Sequence, residues 1–400
     1  MSAPRRIAFP ITSYPPAVGG GQAHAHELAK AIRGRFDVFA VSQWDSFRTD
    51  WLLGSTVFSP WRPAGYAHEG IEVRRLRLSL FNRIAMAPAL PFYYALPAPF
   101  SAYLACLFER RLRPLLSDAD LVHHIRIGRE AFARASLSIA RRRGVPFVLT
   151  PLHHPRWSGY RYRPLWRIYR AADRVIALTR TEAGLLEAGG VDASKIRILG
   201  TGPVLSPSAD PEGFRARRGL GKHPIVLFLG QKFPYKGWRA LSLAAGAVWK
   251  EFPEAAFLFI GPRTRASREW FAELRDPRIV ELDTVPLQEK TDALAACDVL
   301  ALPSSQESFG AVFVEAWAHG KPVIGGPSPA ISEVVANGED GLVTDATPTA
   351  LAGAVCRLLG DPALARRLGE AGKRKAERYA WSALGEKMAD IYKELLPGAG

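Results

Sequence analysis

Short apolar runs alternate with longer segments of helical spacing along the whole chain, and the alternation occurs in two successive sets. The first set covers residues 7–9, 38–41, 73–76, 121–125, 147–150, 174–178 and 196–199. The second covers 225–229, 256–260, 279–282, 299–302, 323–325 and 342–344. Between them lie segments such as AHAHELAKAIRG, REAFARASLSIARRRG, WRALSLAAGAVWKEF and TDALAACD, which carry apolar residues at helical spacing and end at Gly or Pro. Strands alternating with helices form parallel sheets with helices on both faces. Two sets therefore imply two doubly wound α/β domains. The stretch GTGPVLSPSADPEGFRARRGLGKHP (200–224) has no strand pattern and reads as the linker. The expected division is 1–203, 204–380, and a C-terminal helix, 381–400, returning to the first domain. Ligands of open parallel sheets bind beyond the carboxyl ends of the strands. The default site is then a central cleft faced by both domains.

Composition narrows the class. A chain of 400 residues, 48% hydrophobic and 23% charged, is neither disordered nor a coiled coil nor collagen. The net charge of +15 lies wholly in residues 1–200, where 29 Lys+Arg meet 14 Asp+Glu; residues 201–400 hold 24 of each. Only Lys30 and Lys195 are lysines in the first half. Such asymmetry suits an anionic partner for that half, and an Arg-rich solvated surface is the plain alternative. Residues 84–108 carry no charge and would suit a membrane span in length, but Pro88, Pro91, Pro97 and Pro99 break any continuous helix. Arg74, Arg75, Arg77 and Arg83 precede the stretch, and Arg110, Arg111 and Arg113 follow it. Two readings stand: an interfacial insert on anionic lipid through residues 74–113, or a loop followed by a buried helix at about 98–116. No RNA-recognition, zinc-finger or helix-turn-helix pattern supports a nucleic-acid partner. Cys106, Cys297 and Cys356 are too scattered for a disulfide framework or zinc site. The N-terminus lacks the apolar core of a secretory signal. The expected location is the cytoplasm, with peripheral contact to the inner membrane face if the insert rests on lipid.

Four segments carry candidate chemistry. In PSSQESFGAVFVEAWAHGKPVIGG (303–326), a strand ends near Leu302, a polar loop follows, and Phe309-Gly310 precede a helix from Ala311. On one continuous helix Glu307 and Glu315 would point about 80° apart. With Glu307 in the loop and Glu315 in the second turn, both approach the helix N-terminus, where amides and the dipole favour an anion. Carboxylates repel phosphate and suit hydroxyls, so phosphate flanked by hydroxyls describes a nucleoside diphosphate sugar. Two exposed helix-end glutamates are the plain alternative. In LFLGQKFPYKGW (227–238), Gln231, Lys232 and Lys236 lie in a glycine-bearing loop before a helix, where a lysine can neutralise a diphosphate; the spacing is not that of a triphosphate P-loop. In YPPAVGGGQAHAHELAKAI (14–32), Gly19 and Gly20 let backbone approach a ligand closely. In TPLHHPRW (150–157), His153 and His154 follow a strand, where one can orient a sugar hydroxyl. His26 and His319 read as structural. Asp118-Ala-Asp120 reads as a helix-to-strand turn and not a metal site.

Together these residues resemble the large family of retaining GT-B glycosyltransferases usually numbered four. The likeness covers nearly the whole chain and is strongest in GQKFPYKG (230–237), ACDVLALPSSQESFGAVFVEAWAHGKPVIGG (296–326) and ISEVVANGEDGLV (331–343). The resemblance implies that Glu315 binds the donor ribose and Glu307 the donor sugar. Phe309, Gly310 and Ala311 would present amides, Lys236 would neutralise the diphosphate, Gly19 and Gly20 would approach it, and His153 would contact the sugar near its reacting carbon. Family members carry Arg where this chain has Gln231, with Lys232 adjacent as a substitute charge, and Glu where it has Gln22. The implied reaction is metal-independent and cofactor-free sugar transfer with retention, from a nucleotide-sugar donor to a glycan or lipid-linked acceptor, in envelope polysaccharide or glycolipid synthesis. A GT-B sugar-nucleotide epimerase and a non-catalytic nucleotide-sugar-binding protein are the alternatives.

Overall fold

The computed structural model describes residues 4–44, 51–59, 64–126, 130–153 and 159–396. The chain divides into two compact units, Met1–Gly200 with Trp381–Gly400, and Thr201–Ala380.

The N-terminal unit is an eight-stranded sheet. Its strands are β1 (Arg6–Ser13), β2 (Asp37–Trp44), β3 (Gly65–His68), β4 (Ile71–Arg75), β5 (Leu121–Ile125), β6 (Phe147–Thr150), β7 (Arg174–Ala177) and β8 (Ile196–Ile198), in the order β3-β4-β2-β1-β5-β6-β7-β8. All pairings are parallel except β3 with β4. Alternate side chains of a strand point to opposite faces. Ile7, Phe9 and Ile11 therefore enter one core, with Leu384, Met388 and Tyr392 of the helix Trp381–Leu395, while Ala8 enters the other, with Phe108, Phe132 and Tyr169. The C-terminal helix lies close on the helix Gly20–Ile32: a Cβ on Gly385 would meet the Ala31 Cβ at 2.9 Å. At the N-terminal ends of the strands, Asp118 pairs with Arg74 at 2.7 Å and with Arg6, and the Asp120 carboxylate accepts from the Arg6 amide at 2.7 Å. The DAD string is thus a charged turn that ties β1, β4 and β5 together.

Residues 80–112, which contain that uncharged stretch, resolve into two behaviours. The helix Pro97–Leu112 buries Leu104, Leu107, Phe108 and Leu112, as expected of a core helix. Before it, Leu80, Phe81, Ile84, Phe92 and Leu96 are exposed. Among the described residues no helix is long and apolar enough to cross a membrane.

The C-terminal unit holds six parallel strands, β9 (Ile225–Leu229), β10 (Ala256–Ile260), β11 (Ile279–Leu282), β12 (Val299–Leu302), β13 (Val323–Gly325) and β14 (Leu342–Val343), in the order β11-β10-β9-β12-β13-β14. Every residue of β9, β10 and β12 is buried, as a sheet covered on both faces requires. From β9 the chain moves outward to β10 and β11, then returns to the other side of β9 with β12. The loops after β9 and β12 therefore flank the point where the strand order reverses, the usual ligand crevice of such sheets.

Candidate active site

The two loops at that crevice are stitched together. The Tyr235 carbonyl accepts from the Ser305 amide at 2.9 Å and from the Ser304 hydroxyl at 3.3 Å. The chain then turns at Gly237, whose φ of 76° favours glycine; a Cβ there would lie 2.3 Å from the Pro303 carbonyl oxygen. Close approach of the loops brings Lys236 from one onto Glu307 from the other, as an ion pair between half-buried side chains. The Glu307 amide is anchored on the Ser328 hydroxyl at 3.2 Å.

Beyond Glu307, Phe309 is buried against Tyr379, with ring centroids 5.2 Å apart. Gly310, at φ 86°, opens the helix Ala311–Ala318, and among the described residues no side chain of the N-cap position caps it. That leaves the first amides and the positive end of the helix dipole for an anion. Glu315 lies one turn further in. It is buried, accepting from Lys290 Nζ at 2.8 Å and from the Val204 amide at 3.2 Å. The expected site residues Lys236, Glu307, Phe309, Gly310, Ala311 and Glu315 thus share one neighbourhood. Half-buried Gln231 begins the same loop.

Lys232 does not join them. Its side chain is wholly enclosed, with Nζ donating to the Leu282 carbonyl at 2.6 Å and the Gly261 carbonyl at 2.5 Å, and paired with Glu281 at 2.7 Å. The expectation that it substitutes for the missing arginine is corrected: its amide bonds to the Pro262 carbonyl, and its charge serves the sheet edge. Burial lowers its pKa although Glu281 opposes the shift.

In the N-terminal unit, Gly19 and Gly20 follow β1 and open the helix Gly20–Ile32. Gly20 is exposed, and none of the described residues lies within 4 Å of the position a Cβ would take. His153 follows β6. Its amide donates to Glu182 Oε1 at 2.5 Å, and its ring packs on Trp166 at 5.0 Å and Tyr169 at 5.8 Å. Burial, and then the charge of Arg126, lowers the His153 pKa to about 4, so the imidazole is neutral near pH 7. A neutral ring can orient a hydroxyl but brings no charge. His154 lies outside the described residues.

Sequence reasoning missed two partners. Lys290 belongs to no motif, and only the fold brings it to Glu315. Glu182 sits in a Thr-x-x-Glu helix start, a capping signal that sequence can reveal. Its carboxylate instead reaches two strand ends, bonding the Leu178 amide at 2.8 Å as well as that of His153. Burial raises its pKa to about 7, against the lowering by those amides and by Arg126.

Comparison with known proteins places this arrangement. The family model described as "Glycosyl transferase 4-like domain" matches residues 19–202, and "Glycosyl transferases group 1" matches 212–375. The chain belongs to the GT4-type glycosyltransferases. This glycosyltransferase is 29% identical over 320 residues to D-inositol 3-phosphate glycosyltransferase of Corynebacterium efficiens, covering 66% of this chain and 75% of that one. It is 33% identical over 245 residues to the protein of the same name from Nocardia farcinica, covering 58% and 54%. Sucrose-phosphate synthase from Thermosynechococcus elongatus matches it with a TM-score of 0.75 at 20% identity, over 98% of this chain and 99% of that one. HepE of Anabaena in complex with UDP-glucose matches at 0.74 and 18%, over 98% and 100%. The fold is GT-B, with two Rossmann-like domains.

Proposed function

We propose that this glycosyltransferase moves a sugar from a nucleoside diphosphate sugar to a hydroxyl acceptor, with retention of anomeric configuration and without a metal ion. The supporting observation is the Lys236–Glu307 pair set at the uncapped start of the helix Ala311–Ala318. Charge grows on the leaving diphosphate during transfer, and fixed donors aimed at it are the main source of rate. Lys236 and the amides after Gly310 are suited to receive that charge. When donor enters, Lys236 turns from Glu307 toward phosphate, freeing the carboxylate for sugar hydroxyls. Glu315 takes the ribose hydroxyls, and Gln231, at the place of the family's arginine, adds an uncharged donor. In the N-terminal unit, Gly19 and Gly20 serve the diphosphate and neutral His153 orients the sugar. The leaving diphosphate assists removal of the acceptor proton on the same face of the sugar.

The acceptor is proposed to be anionic and lipid-linked, for envelope polysaccharide or glycolipid assembly at the inner membrane face. The arginine excess of residues 1–200 and the exposed Leu80, Phe81, Ile84, Phe92 and Leu96 support that reading. The name of the corynebacterial relative carries a phosphorylated acceptor. Flotation with vesicles containing anionic lipid checks the lipid arm: Phe81→Ser with Phe92→Ser should abolish binding, and unchanged flotation rejects it. The transfer reading is tested by a nucleotide-sugar panel followed by NMR of the product. A glycosylated product with the donor's anomeric configuration supports it. Inversion, or epimerised nucleotide sugar without acceptor, counts against it.

A further inference from the structure

Three side chains of the N-terminal unit converge outside the residues assigned to transfer. His26 lies on the helix Gly20–Ile32, and His68 and Glu69 form the tip of the β3–β4 hairpin. Their ligand atoms all lie within 4.8 Å of one another. His26 is 4% exposed, and its Nε2 is shut off from solvent. That nitrogen sits 3.3 Å from Glu69 Oε2. Two ligands at zinc bond lengths on a tetrahedron are separated by about 3.3 Å, so the pair already spans one tetrahedral edge. The two imidazole centroids are 4.8 Å apart, and Nδ1 of His26 is held by the Tyr14 hydroxyl at 2.9 Å. An outer contact of this kind fixes which nitrogen of a liganding histidine faces the ion.

The hairpin is braced for this approach. Glu69 and Gly70 turn it at φ 45° and 80°, and Arg33 donates to the Glu69 carbonyl at 3.0 Å. The Glu69 carboxylate is shared with Lys30, whose ammonium lies 2.8 Å from Oε2 and also 2.9 Å from Glu27. A cation replacing Lys30 at Glu69 would leave that lysine paired with Glu27, so no buried charge is stranded.

We propose that His26, His68 and Glu69 form a site for a divalent transition-metal ion, zinc by ligand type, with a fourth position open to water. The site is separate from the sugar-transfer chemistry. It would staple the helix that starts at Gly20 to the β3–β4 hairpin. Tyr66 of the same hairpin donates to the Pro15 carbonyl at 2.5 Å, just before the glycine turn. The ion would therefore stiffen the turn that carries Gly19 and Gly20.

The test is equilibrium dialysis of the tag-free chain against zinc, with metal content read by mass spectrometry. Cys106→Ser serves as background, because that thiol is free and exposed and an exposed thiol can take up zinc nonspecifically. The expected result is about one zinc per chain and a zinc-dependent rise in melting temperature. His68→Ala and Glu69→Gln, both at the hairpin tip and outside the core, should each weaken binding by roughly tenfold or more and remove the rise. Circular dichroism establishes that both variants are folded. No zinc in the parent, or equal zinc in parent and variants, overturns the proposal.

Discussion

Each unit buries a carboxylate beside its candidate site residues, and the two are satisfied in opposite ways. In the N-terminal unit, Glu182 bonds the amides of His153 and Leu178, and burial lifts its pKa to about 7. In the C-terminal unit, Glu315 pairs with Lys290, and the less enclosed Glu307 with Lys236. The half with a net charge of +15 thus meets Glu182 mainly with backbone, while the electrically balanced half supplies a lysine to Glu315 and another to Glu307. Many arginines of the first half are engaged in structural ties, such as Arg74 to Asp118 and Arg141 to Asp173. Net charge describes a surface, whereas the chemistry of a site follows from where single cations are placed.

The contrast breaks first at Lys236. Lys236→Ala should lower kcat/KM for transfer by about 10²–10³, measured by steady-state kinetics, with a normal circular dichroism spectrum. A loss of less than about tenfold would put the charge-stabilising group elsewhere. Lys232 sharpens the comparison, because it is next in line by sequence and enclosed by structure. Lys232→Met should cost about 2–3 kcal/mol of stability in urea unfolding, since two carbonyls lose a charged donor, while Glu281 keeps Arg263 at 2.6 Å. Donor affinity of the folded variant should stay within about twofold.

Glu182 gives a pH signature. Its folded pKa, about 7, lies above the ordinary 4.5, so the fold favours the protonated acid. The stabilisation is full below about pH 4.5 and is lost as pH rises through about 7. Parent stability minus that of Glu182→Gln should therefore fall between pH 5 and 8 by on the order of 2 kcal/mol. Buried histidines titrate alike in both proteins and cancel in the difference. The smallest effect is expected at Glu315: Glu315→Gln, still an acceptor for one hydroxyl, should raise the donor KM by about tenfold and leave kcat nearly unchanged.

The alternating pattern made the two sheets legible, because strands buried on both faces leave unmistakable runs such as IVLFL and AFLFI. β3 escaped because GYAH is a short antiparallel edge with alternating exposure. The loop carrying Glu307 and the helix carrying Glu315 were readable from Gly310, which punctuates the two. Lys232 was misread because adjacency in a loop says nothing of direction: its backbone joins the strand end, which sends the side chain beneath the sheet edge. Lys290 and Glu182 act across 25 and 29 residues, on Glu315 and the His153 amide respectively, and only packing creates those pairs.

The most direct measurement is calorimetric titration of a nucleoside diphosphate sugar, chosen from the panel, into the parent, Lys236→Ala and Lys232→Met. The account predicts that Lys236→Ala weakens binding by roughly tenfold or more, the loss of one charged contact to phosphate, and that Lys232→Met does not. Equal affinity in the parent and Lys236→Ala, or no binding of any donor to the folded parent, would contradict it.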